Sequence, residues 1–318
     1  MKKFLLRLVI LVIPLIMLVL LFDSFLRDMN TLGTEKYYGF LNEAEHIESL
    51  VLGSSQATYA VNPIMFNKPT YNIANLSQRF YFDKRIVLKH LNDLNQLKYV
   101  MISIDFHTLY SSSMGVNNNA ISYYVNGIKY KDQNYKKAIM SPFLFGYGPK
   151  LSFLLFLKKM KNNIIGRNMI DFDVEDGVSL QDTLAHGYIG RAGQNNLVMN
   201  ESRFYSKATT YNHIVQQSTE FSEIKKDLID FIEILQDRDI EPIFFSSPIY
   251  IKYHELLDEK YIYESSEAIR NICMDYNIKY FDYSNHEIFT KTDFYDCNHL
   301  NKTGAKKFSA ILNKLLNN

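Results

Sequence analysis

The chain has 318 residues, a length that allows one large domain or two smaller ones. Its 35 Lys and Arg residues nearly balance 34 Asp and Glu residues, and the formal net charge of +1 indicates neither a nucleic-acid-binding surface nor an acidic tail. Hydrophobic residues make up 47% of the chain, which is ample for a buried core.

Residues 1–28 form the predicted targeting segment. Three basic residues within the first seven precede an apolar run at 8–22, and this run approaches the roughly 20 residues that cross a bilayer. The segment after the run lacks the small residues of a cleavage site, which favours an uncleaved signal anchor over a cleaved signal peptide. The basic cluster is expected to stay in the cytoplasm, which predicts a single-pass protein of the cell membrane with an extracytoplasmic domain. Residues 29–46 are predicted to form a polar stalk.

The remaining residues, 47–318, alternate predicted strands with predicted helices. Short apolar runs predict the strands, and helical spacing of apolar residues predicts the helices between them. The strands are expected at 48–52, 70–74, 99–104, 242–245 and 278–281, and the helices at 82–97, 221–235, 255–276 and around Phe308. This alternation indicates an α/β domain with a doubly wound parallel sheet in the flavodoxin-like order.

Residues from about 106 to 216 interrupt the alternation. They show no βαβ pattern and are too many for a structureless loop in a compact domain, so we predict an inserted cap subdomain. The Tyr-rich stretch 122–130 within it is a hairpin candidate. The stretch 151–161 is apolar and then basic, and a buried helix is favoured there over a helix on the membrane surface.

A candidate nucleophile follows the first predicted strand. The apolar run of that strand ends in Gly53-Ser54-Ser55, which is typical of a turn from a strand into a helix. In an open α/β sheet such turns lie at the carboxyl ends of the strands, where ligands bind. Ser55 is therefore placed where a nucleophile could stand. An ordinary helix cap also explains the same residues, because Ser side chains accept hydrogen bonds from free backbone N–H groups.

A candidate base and its carboxylate lie near the other end of the chain, where Asp296 and His299 are three residues apart. A hydroxyl nucleophile needs a base to take its proton, and the base needs a carboxylate to fix its tautomer and stabilise its charged form. The alternative is a surface loop that ends in a helix cap at Asn301. Asp293 is a rival for the role of the carboxylate.

The cysteines and histidines suggest neither a disulfide nor a metal site. Cys273 falls in a predicted helix and Cys297 lies inside the Asp-x-x-His segment, so a disulfide between them is disfavoured. The eight His residues show no clustering of the kind that binds metal. We therefore expect no metal and no cofactor.

Taken together, Gly53-x-Ser55 after the first strand and Asp296-x-x-His299-Leu-Asn before the last helix resemble the SGNH (GDSL-type) hydrolase superfamily. The nearer resemblance is to membrane-anchored SGNH proteins of cell-envelope polymer acylation, of the teichoic-acid D-alanylation and alginate O-acetylation type. The resemblance implies that Ser55 is the nucleophile, His299 the general base and Asp296 its partner. It also implies an envelope polysaccharide or teichoic-type substrate and an MBOAT-type membrane partner that exports the acyl group.

The sequence departs from the SGNH pattern at the expected oxyanion hole. SGNH enzymes use a glycine N–H after the second strand and an Asn side chain after the third, but this chain has Asn-Leu-Ser-Gln at 75–78 and Ile-Asp-Phe-His at 104–107. We expect the backbone N–H of Ser55 to serve, together with that of Ser77 or Gln78.

The predicted function is that of an extracytoplasmic serine-dependent O-acyltransferase that works through an acyl-Ser55 intermediate. Two alternatives stay open at this point. A carbohydrate or acyl esterase would use the same three residues with water as the acceptor. A catalytically inactive surface assembly protein would explain why the glycine and the Asn are missing.

Overall fold

The structure is a computed structural model, and it describes residues 2–27, 32–131, 157, 160–161, 185–191, 193 and 199–317. The chain divides into two compact units. One combines Met1–Thr34 with Gly115–Asp176, and the other combines Glu35–Met114 with Gly177–Asn318. Much of the predicted insert, including most of the stretch 151–161, lies outside the described residues. The insert and its boundaries therefore stay predictions.

Ten helices and five strands make up the framework of the described residues. In chain order they are α1 (Lys2–Arg27), α2 (Leu32–Glu43), β1 (Ser49–Leu52), α3 (Ser55–Ala60), β2 (Thr70–Asn72), α4 (Phe80–His90), β3 (Tyr99–Ser103), α5 (Val116–Asn126), α6 (Glu201–Gln216), α7 (Phe221–Gln236), β4 (Glu241–Ser246), α8 (Ile251–His254), α9 (Glu259–Asp275), β5 (Lys279–Asp282) and α10 (Lys302–Leu316).

Helix α1 begins the first unit. Its segment Lys2–Leu21 has a mean hydropathy of 3.1, and none of it is buried. By length and composition the helix is apolar enough to span a membrane. Pro14 lies inside it, as membrane helices tolerate.

In the same unit, the structure contradicts the predicted hairpin at 122–130. Helix α5 continues to Asn126, and Gly127 ends it in the left-handed conformation (φ 77°) with its N–H donated to the carbonyl of Tyr123. A glycine in this position is the common way to end a helix. The pair Asn126-Gly127 therefore closes a helix and does not form a hairpin turn.

The second unit contains a five-stranded sheet with the order β2-β1-β3-β4-β5. All neighbouring strands are parallel, with Ser49 opposite both Thr70 and Tyr99, and with Glu241 opposite Tyr99. The α/β class, the parallel sheet, the order and all five predicted strands are confirmed, and the strand bounds differ from the prediction by no more than two residues. Because β1, β3 and β4 are buried on both faces, they read as continuous apolar runs.

Helices cover the sheet through the apolar faces that their spacing predicts. On α7 the buried face comprises Ile224, Leu228, Phe231, Ile232 and Leu235. On α10, Phe308 and Leu312 are buried, and the ring of Phe308 lies 6.0 Å from that of Phe245 in β4. Helix α10 is thereby fixed against the sheet directly after the Asp-x-x-His segment.

Two predicted helices are shorter than expected. The helix expected at 82–97 ends at His90. The helix expected at 255–276 begins only at Glu259, because Asp258 caps α9 by accepting a hydrogen bond from the N–H of Lys260 at 3.2 Å, and the short α8 precedes the expected range. An Asp side chain competes with helical hydrogen bonding and so favours caps over helix interiors.

Candidate active site

The turn after β1 requires a glycine. Gly53 has φ +139°, and a Cβ atom placed on it would lie 2.5 Å from the Cβ of Ser103 and 3.1 Å from that of Ala57. Its N–H donates to Oδ1 of the buried Asp83 at 3.3 Å. Burial raises the pKa of Asp83 to about 7. The backbone of the turn is thus held from inside the domain by a side chain of α4.

Ser54 and Ser55 have different roles in this turn. Ser54 is the N-cap of α3, and its Oγ accepts from the N–H of Gln56 at 3.2 Å and donates to Oδ2 of Asp105 at 2.5 Å. The other oxygen of Asp105 accepts from the hydroxyl of Ser103 at 2.9 Å, and burial raises the pKa of Asp105. Because Ser54 makes the cap, the hydroxyl of Ser55 is left for other chemistry.

The segment before α10 is a tight loop closed by its own backbone. Phe294 and Leu300 form an antiparallel bridge, and the N–H of Tyr295 donates to the carbonyl of His299 at 2.9 Å. Asn301 then caps α10 by accepting from two amide groups of its first turn, both at 3.0 Å. The loop that carries Asp296 and His299 therefore runs directly into the cap of α10. The helix cap expected at Asn301 is present, and it does not exclude a functional site in the loop.

Asp293 does not contact His299 and has a structural role. It forms a capping box with Thr290, whose N–H donates to Oδ2 of Asp293 at 2.9 Å. Lys307 pairs with the same oxygen at 3.3 Å. The carboxylate beside the imidazole is therefore that of Asp296.

Ser55, His299 and Asp296 form a chain of hydrogen bonds. Oγ of Ser55 lies 2.8 Å from Nε2 of His299, and Nδ1 of His299 lies 2.8 Å from Oδ2 of Asp296. Oδ1 of Asp296 accepts from the N–H groups of Asn298 and His299 at 3.0 and 2.9 Å. An ionised carboxylate only accepts hydrogen bonds. The proton of the pair therefore sits on Nδ1, and Nε2 is left to accept from the Ser55 hydroxyl.

The electrostatics of the pair suit a general base. Burial raises the pKa of Asp296, but the charge and hydrogen bond of His299, together with Lys207, outweigh it and hold that pKa well below the usual range. Burial lowers the pKa of His299, and this effect outweighs the opposing effect of Asp296. At neutral pH the carboxylate is ionised and the imidazole is neutral, which is the state that can take a proton.

Lys207 of α6 contacts this loop, and sequence reasoning missed it. Its Nζ donates to Oδ1 of Asn298 at 2.5 Å and lies 3.8 Å from Oδ2 of Asp296. Its positive charge lowers the pKa of both Asp296 and His299. Nothing in the sequence marks Lys207, because it is a single basic residue within the predicted insert.

Tyr59 and Arg191 support the imidazole, and both were also missed. The ring of Tyr59 lies 5.1 Å from that of His299, edge to face. The guanidinium of Arg191 lies 4.2 Å from the Tyr59 ring and 4.5 Å from the Tyr295 ring, and its Nη2 donates to the Tyr59 hydroxyl at 2.6 Å. These contacts restrict the orientation of the ring that the chemistry depends on.

The residues expected to complete the oxyanion hole lie in a turn beside the nucleophile. The N–H of Asn75 donates to the carbonyl of Gly53 at 3.1 Å. Ser77 is exposed, with φ 57°. The N–H of Gln78 donates to the carbonyl of Asn75 at 3.1 Å, and its side chain donates to Asp83 at 2.6 Å. The backbone donor of Gln78 is therefore already used, whereas Ser77 stays a predicted donor.

The other candidate groups near the site have structural roles. His107 packs against Tyr211, with 4.8 Å between the ring centres and the two rings tilted by 36°. Cys273 and Cys297 are both free, and burial raises the pKa of the Cys297 thiol to about 12, so this thiol stays protonated. Among the residues that the structure describes, no group of three or more His, Cys, Asp or Glu side chains is arranged to hold a metal ion.

Comparison with known proteins adds no assignment. A scan against protein-family models finds no match to this chain, and a search of curated proteins finds none either. In the geometry of the site, a hydroxyl, an imidazole and a carboxylate are aligned for proton transfer.

Proposed function

We propose that the chain is a membrane-anchored, SGNH-type serine acyltransferase that acts on a cell-envelope polysaccharide or teichoic-type polymer. The observation that carries the proposal is the pair of 2.8 Å contacts that join Ser55 to His299 and His299 to Asp296. They lie at the carboxyl edge of a parallel sheet, where α/β proteins bind their ligands. An acyl-transfer site of this kind needs a nucleophile within hydrogen-bond distance of a base, and the base in turn within hydrogen-bond distance of an orienting carboxylate.

The proposed reaction has two half-reactions. Nε2 of His299 takes the hydroxyl proton of Ser55 while Oγ attacks the acyl carbonyl, and the tetrahedral intermediate then expels the donor alcohol, which takes the proton from His299. The product is an acyl-Ser55 ester. In the second half-reaction an acceptor hydroxyl gives its proton to His299, attacks the acyl carbon and releases Ser55.

The negative charge on the tetrahedral oxygen needs hydrogen-bond donors. Ser55 is the first residue of α3, so its N–H has no partner within the helix. Asn75 is a second proposed donor, because its Oδ1 accepts from the N–H of Leu76 at 2.8 Å and this leaves its Nδ2 for a ligand. Ser77, in the same turn, is a third.

In this proposal the reaction takes place outside the cytoplasm, at the surface of the membrane that holds helix α1. Helix α1 is long and apolar enough to span a membrane, and the basic residues at its start favour a cytoplasmic N-terminus and an extracytoplasmic domain. An enzyme held at the outer membrane surface suits a polymer acceptor and an acyl group delivered by an MBOAT-type membrane protein.

The test uses the full chain in detergent with p-nitrophenyl acetate and a soluble polyol acceptor. We expect a burst of nitrophenol equal to the enzyme concentration, then acylated polyol, and neither product with Ser55→Ala. Free acetate as the sole product would favour the esterase, since water would then be the acceptor. A folded wild-type protein that gives no burst either in detergent or in membranes would contradict the proposal and favour the inactive assembly protein.

A further inference from the structure

A cavity lies at the carboxyl ends of β3, β4 and β5, on the same edge of the sheet as the Ser55 turn. Its volume is about 60 Å³, and it is partly open to solvent. A water molecule needs at least roughly 10–15 Å³ of such space and takes up about 30 Å³ in the liquid, so the cavity has room for about two to six non-hydrogen atoms. This is the size of a short acyl chain and smaller than a sugar ring.

The cavity adjoins the nucleophile through α3. Gln56, the residue after Ser55, is buried and lines it. Within the sheet, β3 lies directly beside β1, so the segments that follow these two strands are neighbours. Gln56 is therefore the lining residue nearest in the chain to Ser55, which does not itself line the cavity, and both lie at the same edge of the sheet.

The walls of the cavity are mostly apolar. Tyr253 and Leu257, which are buried, and the half-buried Ile262 form the side towards α8 and α9. The buried Ser265 of α9 lies among them. Such a lining favours an aliphatic group, which gains free energy by leaving water.

One polar group in this wall has no partner. Ser247 follows β4 and is 2% exposed, and its Oγ makes no hydrogen bond to any residue that the structure describes. A buried hydroxyl without a partner is unfavourable. A ligand that presents an oxygen to Ser247 would satisfy it, which makes this hydroxyl a means of selection between ligands.

The charged groups around the cavity disfavour an ionised ligand. The oxygens of Asp105 accept from Ser54 and Ser103, and Oδ1 of Asp282 accepts from Ser284. Burial raises the pKa of Asp105 and lowers that of His254, so burial opposes charge on both. A neutral ligand fits these surroundings better than a free carboxylate or an ammonium group.

We propose that this cavity binds the chain of the acyl group that Ser55 transfers, and that it selects a short neutral acyl group with a hydrogen-bonding oxygen, such as 3-hydroxybutyryl. This inference rests on the proposed function, because it takes Ser55 as the nucleophile. In the acyl-Ser55 ester, the chain beyond the carbonyl would lie against Tyr253 and Leu257, and its hydroxyl would pair with Ser247. Butyryl would fill the same space but leave Ser247 unpaired.

The first test compares kcat/KM of the full chain for the p-nitrophenyl esters of acetate, butyrate and 3-hydroxybutyrate. Wild type is expected to prefer 3-hydroxybutyrate over butyrate. Ser247→Ala should reduce this preference about 2- to 10-fold, the effect of one hydrogen bond, and leave acetate unchanged. An unchanged preference in a folded Ser247→Ala variant would contradict the selection by Ser247.

A cavity-filling variant tests the location, and an exposed residue on the same helix supplies the control. Ser265→Leu is expected to lower kcat/KM for both four-carbon esters at least about tenfold and for acetate less than twofold, because overpacking excludes the longer chain. Glu267→Leu adds the same side chain to the exposed face of α9 and should change none of the three. Equal losses for all three esters, or a higher KM for the acceptor alone, would overturn the assignment to the acyl chain.

A binding measurement separates this inference from the proposed function. Methyl-labelled 3-hydroxybutyramide is titrated by NMR against full-length Ser55→Ala, with and without Ser265→Leu or Glu267→Leu. Binding that Ser265→Leu abolishes and Glu267→Leu preserves would support the cavity even if wild type hydrolysed no ester. No saturable binding, or binding that is insensitive to Ser265→Leu, would overturn the inference even if Ser55 proved to be the nucleophile.

Discussion

The turn after β1 and the loop before α10 meet at one hydrogen bond, from Ser55 to His299, but they are held in place by different means. The turn depends on distant residues: Asp83 binds its backbone and Asp105 binds its capping serine. The loop depends mainly on its own residues, since its backbone amides bind the Asp296 carboxylate. One half of the site is supported by the tertiary fold, and the other is mostly a local structure.

Substitutions of Ser55 and of the neighbouring Ser54 are expected to give the largest difference in activity. Ser55→Ala is expected to reduce kcat/KM by up to about 10⁶-fold, as removal of the nucleophile does in serine proteases. Ser54→Ala is the matched control, because it removes a helix cap and a hydrogen bond to the buried Asp105 and should cost about 1–3 kcal/mol of stability while most activity remains. Steady-state kinetics and thermal unfolding of both variants check this. The assignment is contradicted if Ser54→Ala loses more activity than Ser55→Ala.

Substitutions of Asp296 and Asp293 test which carboxylate of the loop orients His299. Asp296→Asn should lower kcat about 10⁴-fold, because an amide in this place favours the wrong imidazole tautomer. Asp293→Asn weakens a capping box and should lower the melting temperature with little change in kcat. The two variants are compared by kcat and by thermal unfolding. Similar kcat values would show that Asp296 does not orient His299.

Asn75 tests the oxyanion donors on the turn side. Asn75→Ala is expected to lower kcat about 10²- to 10³-fold with little change in KM, because the donor acts on charge that develops only in the transition state. Ser77→Ala keeps the backbone N–H and serves as the control, with an expected change below about twofold. A kcat for Asn75→Ala equal to that of wild type would remove Asn75 from the oxyanion hole.

Substitution of Lys207 is expected to give the smallest effect, a shift in the pH dependence of kcat/KM. His299 must be neutral to act, so kcat/KM falls as the pH drops through its pKa, which burial and Lys207 hold below the ordinary value of 6.5. Removing the positive charge in Lys207→Met favours the imidazolium and should move the acid limb to higher pH. Lys207→Arg keeps the charge and should leave the limb in place. A limb that does not move in Lys207→Met would show that Lys207 acts only through packing.

The features that could be predicted from the sequence are those that depend on local structure. The central strands were predictable because buried parallel strands are continuous apolar runs, as β1 and β3 show. Asp296 and His299 were predictable as a pair because three residues separate them and the loop that holds them is local. Gly53 marked the turn, since only glycine fits beside Ser103 there.

What the sequence could not predict is brought together by the fold. Lys207, Tyr59 and Arg191 come from separate segments, and no spacing or periodicity links them to His299. The use of the Gln78 N–H within its own turn was equally hidden, because it depends on the local backbone geometry of the residues around Ser77. Contacts between distant segments are set by packing, which a single sequence does not reveal.

The central claim is that the Ser55 hydroxyl, activated by His299, is the nucleophile. The most direct measurement labels the full chain in membranes with a fluorophosphonate and maps the modified peptide by mass spectrometry. We expect one phosphonylated residue, Ser55, and loss of labelling in both Ser55→Ala and His299→Ala. Labelling on a different serine, or none on a folded protein in its membrane, would contradict the claim.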